Sequence, residues 1–233
     1  MINIIIAVIT LIIIIIISFL LIGYYRLMKH YSDNTSIWYD KINMTDLYPH
    51  LKTGDIILFT SAVHSPVNSM LSQTYFSHVG MIIKYCDSIY ITESTAGGEL
   101  MPYNGEILRM NNGVDIIPIL PRLKNYTGLY YIMRLSEKLK YESESELIRK
   151  AEDLFFGRFP YPKLKQIFMG MLGIKSKSHH CFQHVAYLMS DYIDNQVYKE
   201  GYIDVCHYIC GISGKKLSSG LYYSEPLQIM YDL

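Results

Sequence analysis

The chain lacks a surplus of either charge: 21 basic and 21 acidic side chains in 233 residues sum to a formal net charge of zero. A protein built around a nucleic-acid backbone needs a basic surplus, so no nucleic-acid partner is expected. Cysteine is scarce, with four in the chain. A domain of this length does not need disulfide staples, and Cys86, Cys181, Cys206 and Cys210 read as reduced thiols. Glycine-rich phosphate loops are missing: Gly97-Gly98 is not followed by the Lys-Ser/Thr of a P-loop, and no kinase or dinucleotide signature is present. Tandem repeats and sustained heptads are absent as well, which excludes solenoids and long coiled coils. At 18% charged and 13% aromatic residues, with 22 tyrosines, the chain is not a disordered tail.

What is abundant is hydrophobic residue, 50% of the chain, and it is concentrated at one end. Of residues 1–22, all but Asn3, Thr10 and Ser18 are hydrophobic; without this stretch the chain falls to roughly 46%, an ordinary globular value. The run Ile4 to Ile22 would be about 28 Å long as a helix, enough to cross a bilayer core. No basic residue precedes it and no Ala-x-Ala-like site follows, so it reads as an uncleaved anchor and not as a signal peptide. Arg26, Lys29 and His30 follow, and the positive-inside rule then places the rest of the chain in the cytoplasm. The expected organisation is a transmembrane anchor at 1–23, a polar tyrosine-rich connector at 24–49 and a catalytic domain at 50–233. The lipid bilayer is the expected partner of the anchor.

Downstream, strands are expected at Ile56–Phe59, His78–Tyr85, Ser88–Glu93, Val114–Ile119 and Leu129–Leu135. Pro66 to Leu71 reads as the start of a short helix. A later helix carries a capping-box pattern, Ser143 with Glu146, and closes at Gly157. Another begins near Ser178 and presents Cys181, Val185, Leu188, Met189 and Tyr192 on one face. Strands first and helices afterwards, without βαβ alternation, make an α+β domain with a mostly antiparallel sheet packed against helices.

Three residues in this frame carry chemistry. Cys181 falls in the first turn of its helix, where unpaired N–H groups and the positive dipole end favour a thiolate and can hold an oxyanion. If Cys86-Asp87 is a two-residue loop, Tyr85 pairs with Ser88 and Gly80 with Glu93. His78 and Glu93 then share a sheet face as diagonal neighbours, roughly 7 Å apart; an odd-numbered loop would separate them. A helix start packed on that face would complete a Cys-His-Glu set of nucleophile, base and orienting carboxylate. Metal binding is the competing use of His179, His180, Cys181 and His184, and of Cys206-His207 with Cys210, but neither cluster has a zinc-module spacing. No cofactor is expected. His64 and His180 are further pocket candidates, and Gly54 and Asp55 read as structural.

The series Thr53-Gly54-Asp55-Ile56-Ile57-Leu58-Phe59, Phe76-Ser77-His78-Val79-Gly80-Met81, Thr92-Glu93-Ser94 and His180-Cys181-Phe182-Gln183 resembles the circularly permuted papain-like branch of the NlpC/P60 superfamily. That branch takes in YiiX/YebB-like bacterial proteins, a poxvirus group and the lecithin:retinol acyltransferase group. The resemblance covers about residues 50–210 and implies a permuted papain-like fold with Cys181 as nucleophile, His78 as base and Glu93 as the polar third member. Many relatives follow the cysteine with Ser-Glu, where this chain has Phe182-Gln183. The implied activity is that of a membrane-anchored cysteine hydrolase or acyltransferase on an amide or ester bond. The alternative is a non-catalytic membrane-anchored interaction or virion protein that keeps the fold.

Overall fold

The computed structural model describes residues 39–60, 75–163, 180–193, 206 and 208–231, together with 4, 6–11, 13–14, 17–18, 21–22 and 24–25. The described positions between 4 and 25 are helical, and their side chains stay exposed, Ile4 by 69% and Leu21 by 61%. A transmembrane helix is nevertheless not found: among the described residues no helix is long and apolar enough to cross a membrane. The expected anchor at 1–23 lies partly outside those residues. The helix expected from Pro66, together with His64, lies wholly outside them.

The folded part is α+β. Strands β1 (Lys41–Asn43), β2 (Ile56–Thr60), β3 (Phe76–Tyr85), β4 (Ser88–Thr95), β7 (Gly113–Pro118), β8 (Tyr130–Met133) and β9 (Leu227–Met230) form one sheet, ordered β1-β9-β8-β2-β3-β4-β7. Every pairing in it is antiparallel except β1 with β9. A separate ribbon pairs β5 (Leu100–Tyr103) with β6 (Glu106–Arg109). Helices are α1 (Met44–Leu47), α2 (Ile119–Lys124), α3 (Tyr141–Phe156) and α4 (Cys181–Leu188).

Side-chain alternation divides the core between the two faces of this sheet. On one face Ile56, Leu58, Val79, Met81, Ile83 and Met133 pack against α3 and α4. On the other, Ile57, Phe59, Ile82, Ile91 and Ile132 pack against α1 and α2. β2 is buried at all five positions because it lies mid-sheet with helices on both sides, which explains its unbroken apolar run. At about 1.5–3 kcal/mol per fully buried large side chain, these two layers hold the sheet together.

Several expected boundaries shift. Residues read as connector belong to the folded unit, since Lys41–Asn43 pairs with β9 and Leu47 is fully buried. Ile119 opens α2 and does not end β7. The capping box at Ser143 does not form: α3 starts earlier, its N-cap is Lys140, and Arg149 engages Glu146 with Nη2–Oε1 at 2.6 Å. Gly157 does close α3, its N–H bonding the Asp153 carbonyl. Asp55 is fully buried and ties β2 to the end of β8, accepting from Arg134 Nε at 2.8 Å and Leu135 N at 2.9 Å. Its carboxyl is raised by burial against the pull of Arg134 and Lys52.

Candidate active site

The β3–β4 hairpin turns through Cys86-Asp87, with Tyr85 opposite Ser88 and Gly80 opposite Glu93. The even-numbered loop puts His78 and Glu93 on one face, and His78 Nε2 lies 2.5 Å from Glu93 Oε2. Gly80 sits between them in register, where an added Cβ would come within 2.6 Å of Ile91 Cδ1. Opposite β2 the register slips: Phe59 pairs with His78 but Thr60 with Phe76, leaving Ser77 as the extra residue of a bulge. Bulges re-aim side chains near strand ends, and this one falls directly before the histidine. The Phe59 ring packs on the imidazole with centroids 5.3 Å apart.

Glu93 is fully buried, yet ionised. Burial alone would raise its pKa, but Arg122 first and His78 second outweigh it and hold the carboxyl at about 2. Arg122 places Nε 2.5 Å from Glu93 Oε1 and Nη2 3.3 Å from Oε2. Burial works against the His78 imidazolium in the same way. The Cys181 charge and hydrogen bond, then Glu93, prevail and lift it to about 9.

Cys181 is the first residue of α4, behind an extended N-cap, His180. The helix's hydrogen-bond ladder begins with His184 N to His180 O at 2.9 Å. The amides of Cys181, Phe182 and Gln183 therefore precede the ladder at the positive end of the helix. The Cys181 thiol is within hydrogen-bonding reach of His78. With Nε2 engaged by Glu93, Nδ1 is the ring nitrogen left for the sulfur. The body of α4, however, does not pack on the face that carries His78 and Glu93. It lies on the opposite face with Val79 and Met81, pinned by His184 Nε2 to Thr92 Oγ1 at 2.9 Å. Only its first turn reaches the histidine, at the end of the sheet where β3 begins.

Two site residues escape sequence reasoning. Arg122, 3% exposed, follows the apolar stretch Ile116 to Pro121, and an arginine embedded in such a stretch is the signal that could have found it. Tyr161 is half-buried beside Cys181 and Cys206; burial, then those thiols, push its phenol well up. Its segment is anchored at Gly113, where a Cβ would meet the Phe159 carbonyl oxygen at 2.2 Å and where φ is 143°. No local pattern points to Tyr161. Ser178 and His179 lie outside the described residues, and His180 is buried at the N-cap. Among the described residues no group of three or more His, Cys, Asp or Glu is placed to hold a metal ion. Cys181 and Cys206 are buried, Cys210 partly so, and Cys86 is exposed.

No family model matches the chain. No curated protein matches it either. Among solved structures it is similar to the crystal structure of a protein described as the metalloprotein YiiX of Escherichia coli O157:H7. The likeness has 19% identity and a TM-score of 0.42, and covers 60% of this chain and 65% of that one.

Proposed function

We propose that the chain is a cysteine hydrolase or acyltransferase acting on an amide or ester carbonyl, with Cys181 as nucleophile, His78 as base and Glu93 as orienting carboxylate. The observation that carries this reading is His78 itself, joined through Nε2 to a buried Glu93 and within hydrogen-bonding reach of a thiol that opens a helix. His78 Nδ1 takes the Cys181 proton, and the thiolate adds to the carbonyl carbon. The oxyanion is held by the amides at the start of α4. The imidazolium returns its proton to the leaving nitrogen or oxygen, and the thioester passes its acyl group to water or another acceptor. The order of motifs along the chain supports a circularly permuted papain-like fold of the NlpC/P60 type. The apolar run at 4–22 supports attachment to a membrane, and Arg26 and Lys29 after it support a folded part on the cytoplasmic side, which adds membrane-borne acyl groups to peptides as candidate substrates.

An acylating thiol probe is expected to modify Cys181 and not Cys86, Cys206 or Cys210, with the signal falling in His78→Ala. Mass spectrometry of the adduct trapped from lipid extracts or peptides then identifies the acyl group. Equal modification of all four cysteines, or none at Cys181, refutes the enzyme. One observation favours the alternative, a membrane-anchored interaction or virion protein that keeps the fold: Cys181 is only 2% exposed and stands within the apolar cluster of α4. In that case Cys181 stays unmodified in the folded chain and reacts only after denaturation.

A further inference from the structure

Arg122 is the charged group that the Cys-His-Glu reading leaves without a task. Its guanidinium is held on every side. Nε and Nη2 bracket the Glu93 carboxylate, and Nη1 turns outward to Glu99 Oε2 at 3.0 Å. Its plane lies over the rings of Phe59 and Tyr126, 5.1 and 5.4 Å from their centroids. Tyr126 is itself fixed by donating its hydroxyl to the Thr60 carbonyl. A buried ion pair of this kind is a poor way to gain stability, because well-packed apolar side chains do as well or better. Its value must then be sought in what it does to Glu93.

Glu93 Oε2 is shared, facing both Arg122 Nη2 and His78 Nε2. An ionised carboxylate can only accept, so Nε2 must carry the ring proton and Nδ1 presents its lone pair. A neutral carboxylic acid would instead donate to Nε2 and leave the proton on Nδ1, where it could not receive the thiol proton. We infer that Arg122 is a positioning residue that keeps Glu93 a pure acceptor and thereby locks His78 as the Nε2–H tautomer, with Nδ1 turned to Cys181. The inference rests on the proposed triad. Two more carboxyls face this site: Glu99 is largely in solvent, and Asp115, opposite Glu93 in register, is buried and held by Asn111. Among the groups in line from the thiol to the guanidinium, thiolate, imidazolium, Glu93 and Arg122 sum to zero, whereas without Arg122 one negative charge is left at a carboxylate that is 0% exposed, with Asp115 adding to the repulsion. Loss of Arg122 therefore disfavours the thiolate.

The test uses the full chain, with the ring nitrogens of His78 observed by 15N NMR and Cys181 alkylated by iodoacetamide across a pH series. In the wild type, neutral His78 should show the Nε2–H pattern. In Arg122→Gln the pattern should move to Nδ1–H, and the alkylation midpoint should shift to higher pH, the direction set by removing a cation that acts on the thiolate through Glu93 and His78. Arg122→Lys, which keeps the charge but loses the two-pronged contact, should fall between the two, and it decides the matter if Arg122→Gln does not fold. Unmoved nitrogen shifts and an unmoved midpoint in a folded variant, or an Nδ1–H pattern in the wild type, overturn the role. If Cys181 proves unreactive in the wild type, the triad reading fails while the nitrogen spectra still report on Arg122. If Cys181 reacts and the spectra do not respond to Arg122, this inference fails alone.

Discussion

His78 offers a measurable link between the site and the stability of the fold. Its imidazole moves from 6.5 to about 9 in the folded chain: burial opposes the change, and Cys181 and then Glu93 outweigh it. A folded-state value above the unfolded one means that the folded chain holds the proton more tightly. The stabilisation is thus complete below pH 6.5 and is lost as pH rises through about 9. At about 1.4 kcal/mol per pH unit, that interval corresponds to about 3 kcal/mol. This is a large share of the roughly 5–15 kcal/mol by which a domain is stable. Urea unfolding at fixed pH values from about 6 to 10 reads it as a falling midpoint at constant slope. His78→Asn should flatten the fall, and it should fold, because Glu93 keeps its contact with Arg122. Cys181→Ser should remove the larger share of the fall, since Cys181 leads the causes that raise the imidazole. Parallel wild-type and His78→Asn profiles between pH 6.5 and about 9 would refute the coupling.

Gly80→Ala places a Cβ 2.6 and 2.7 Å from Cδ1 and Cγ1 of the fully buried Ile91, whose side chain must shift, and should cost about 1–3 kcal/mol in urea unfolding. Combined with Ile91→Ala it should be milder than the sum of the single changes by about 1 kcal/mol; strict additivity removes the steric explanation. If residues 1–23 insert in a bilayer, alkaline carbonate should leave the full chain in the membrane fraction and detergent should release it. A glycosidase should not shift its mobility despite the acceptor triplets at Asn34, Asn43 and Asn125, whereas a shift would reverse the orientation.

The hairpin geometry is legible in the sequence because it depends on parity alone. A two-residue loop at Cys86-Asp87 determines which residues of β3 and β4 share a face, whatever the rest of the chain does. Parity does not extend to elements that arrive from far along the chain. α4 docks on the face of Val79 and Met81, opposite to the one carrying His78, and nothing in its own apolar stripe distinguishes those two surfaces. The bulge at Ser77, where strand alternation breaks, leaves no mark in composition. β1 is invisible for a similar reason: three residues, two of them exposed, make no period, and the partner strand lies at the other end of the chain. The capping pattern at Ser143 fails by competition, because the Glu146 side chain is taken by Arg149 one turn on.

Arg122 differs from these misses, since electrostatics leads towards it. A glutamate wedged between apolar strands next to a histidine cannot stay ionised unless a cation is desolvated with it. A chain that buries such a glutamate must therefore place a basic residue in apolar surroundings. In Ile116-Ile117-Pro118-Ile119-Leu120-Pro121-Arg122-Leu123 the arginine is flanked on both sides by residues that seek the core, so its head group is drawn into the interior with them. Snorkelling to water is the usual escape for such a side chain. Here that route is closed, because Phe59 and Tyr126 cover the guanidinium and the carboxylate waits beneath. The pairing of a buried acid with an arginine inside an apolar stretch is thus a requirement that narrows the choice to Arg122 and to Arg134 of Tyr131-Ile132-Met133-Arg134-Leu135, and the fold then gives Arg134 to the buried Asp55 and Arg122 to Glu93.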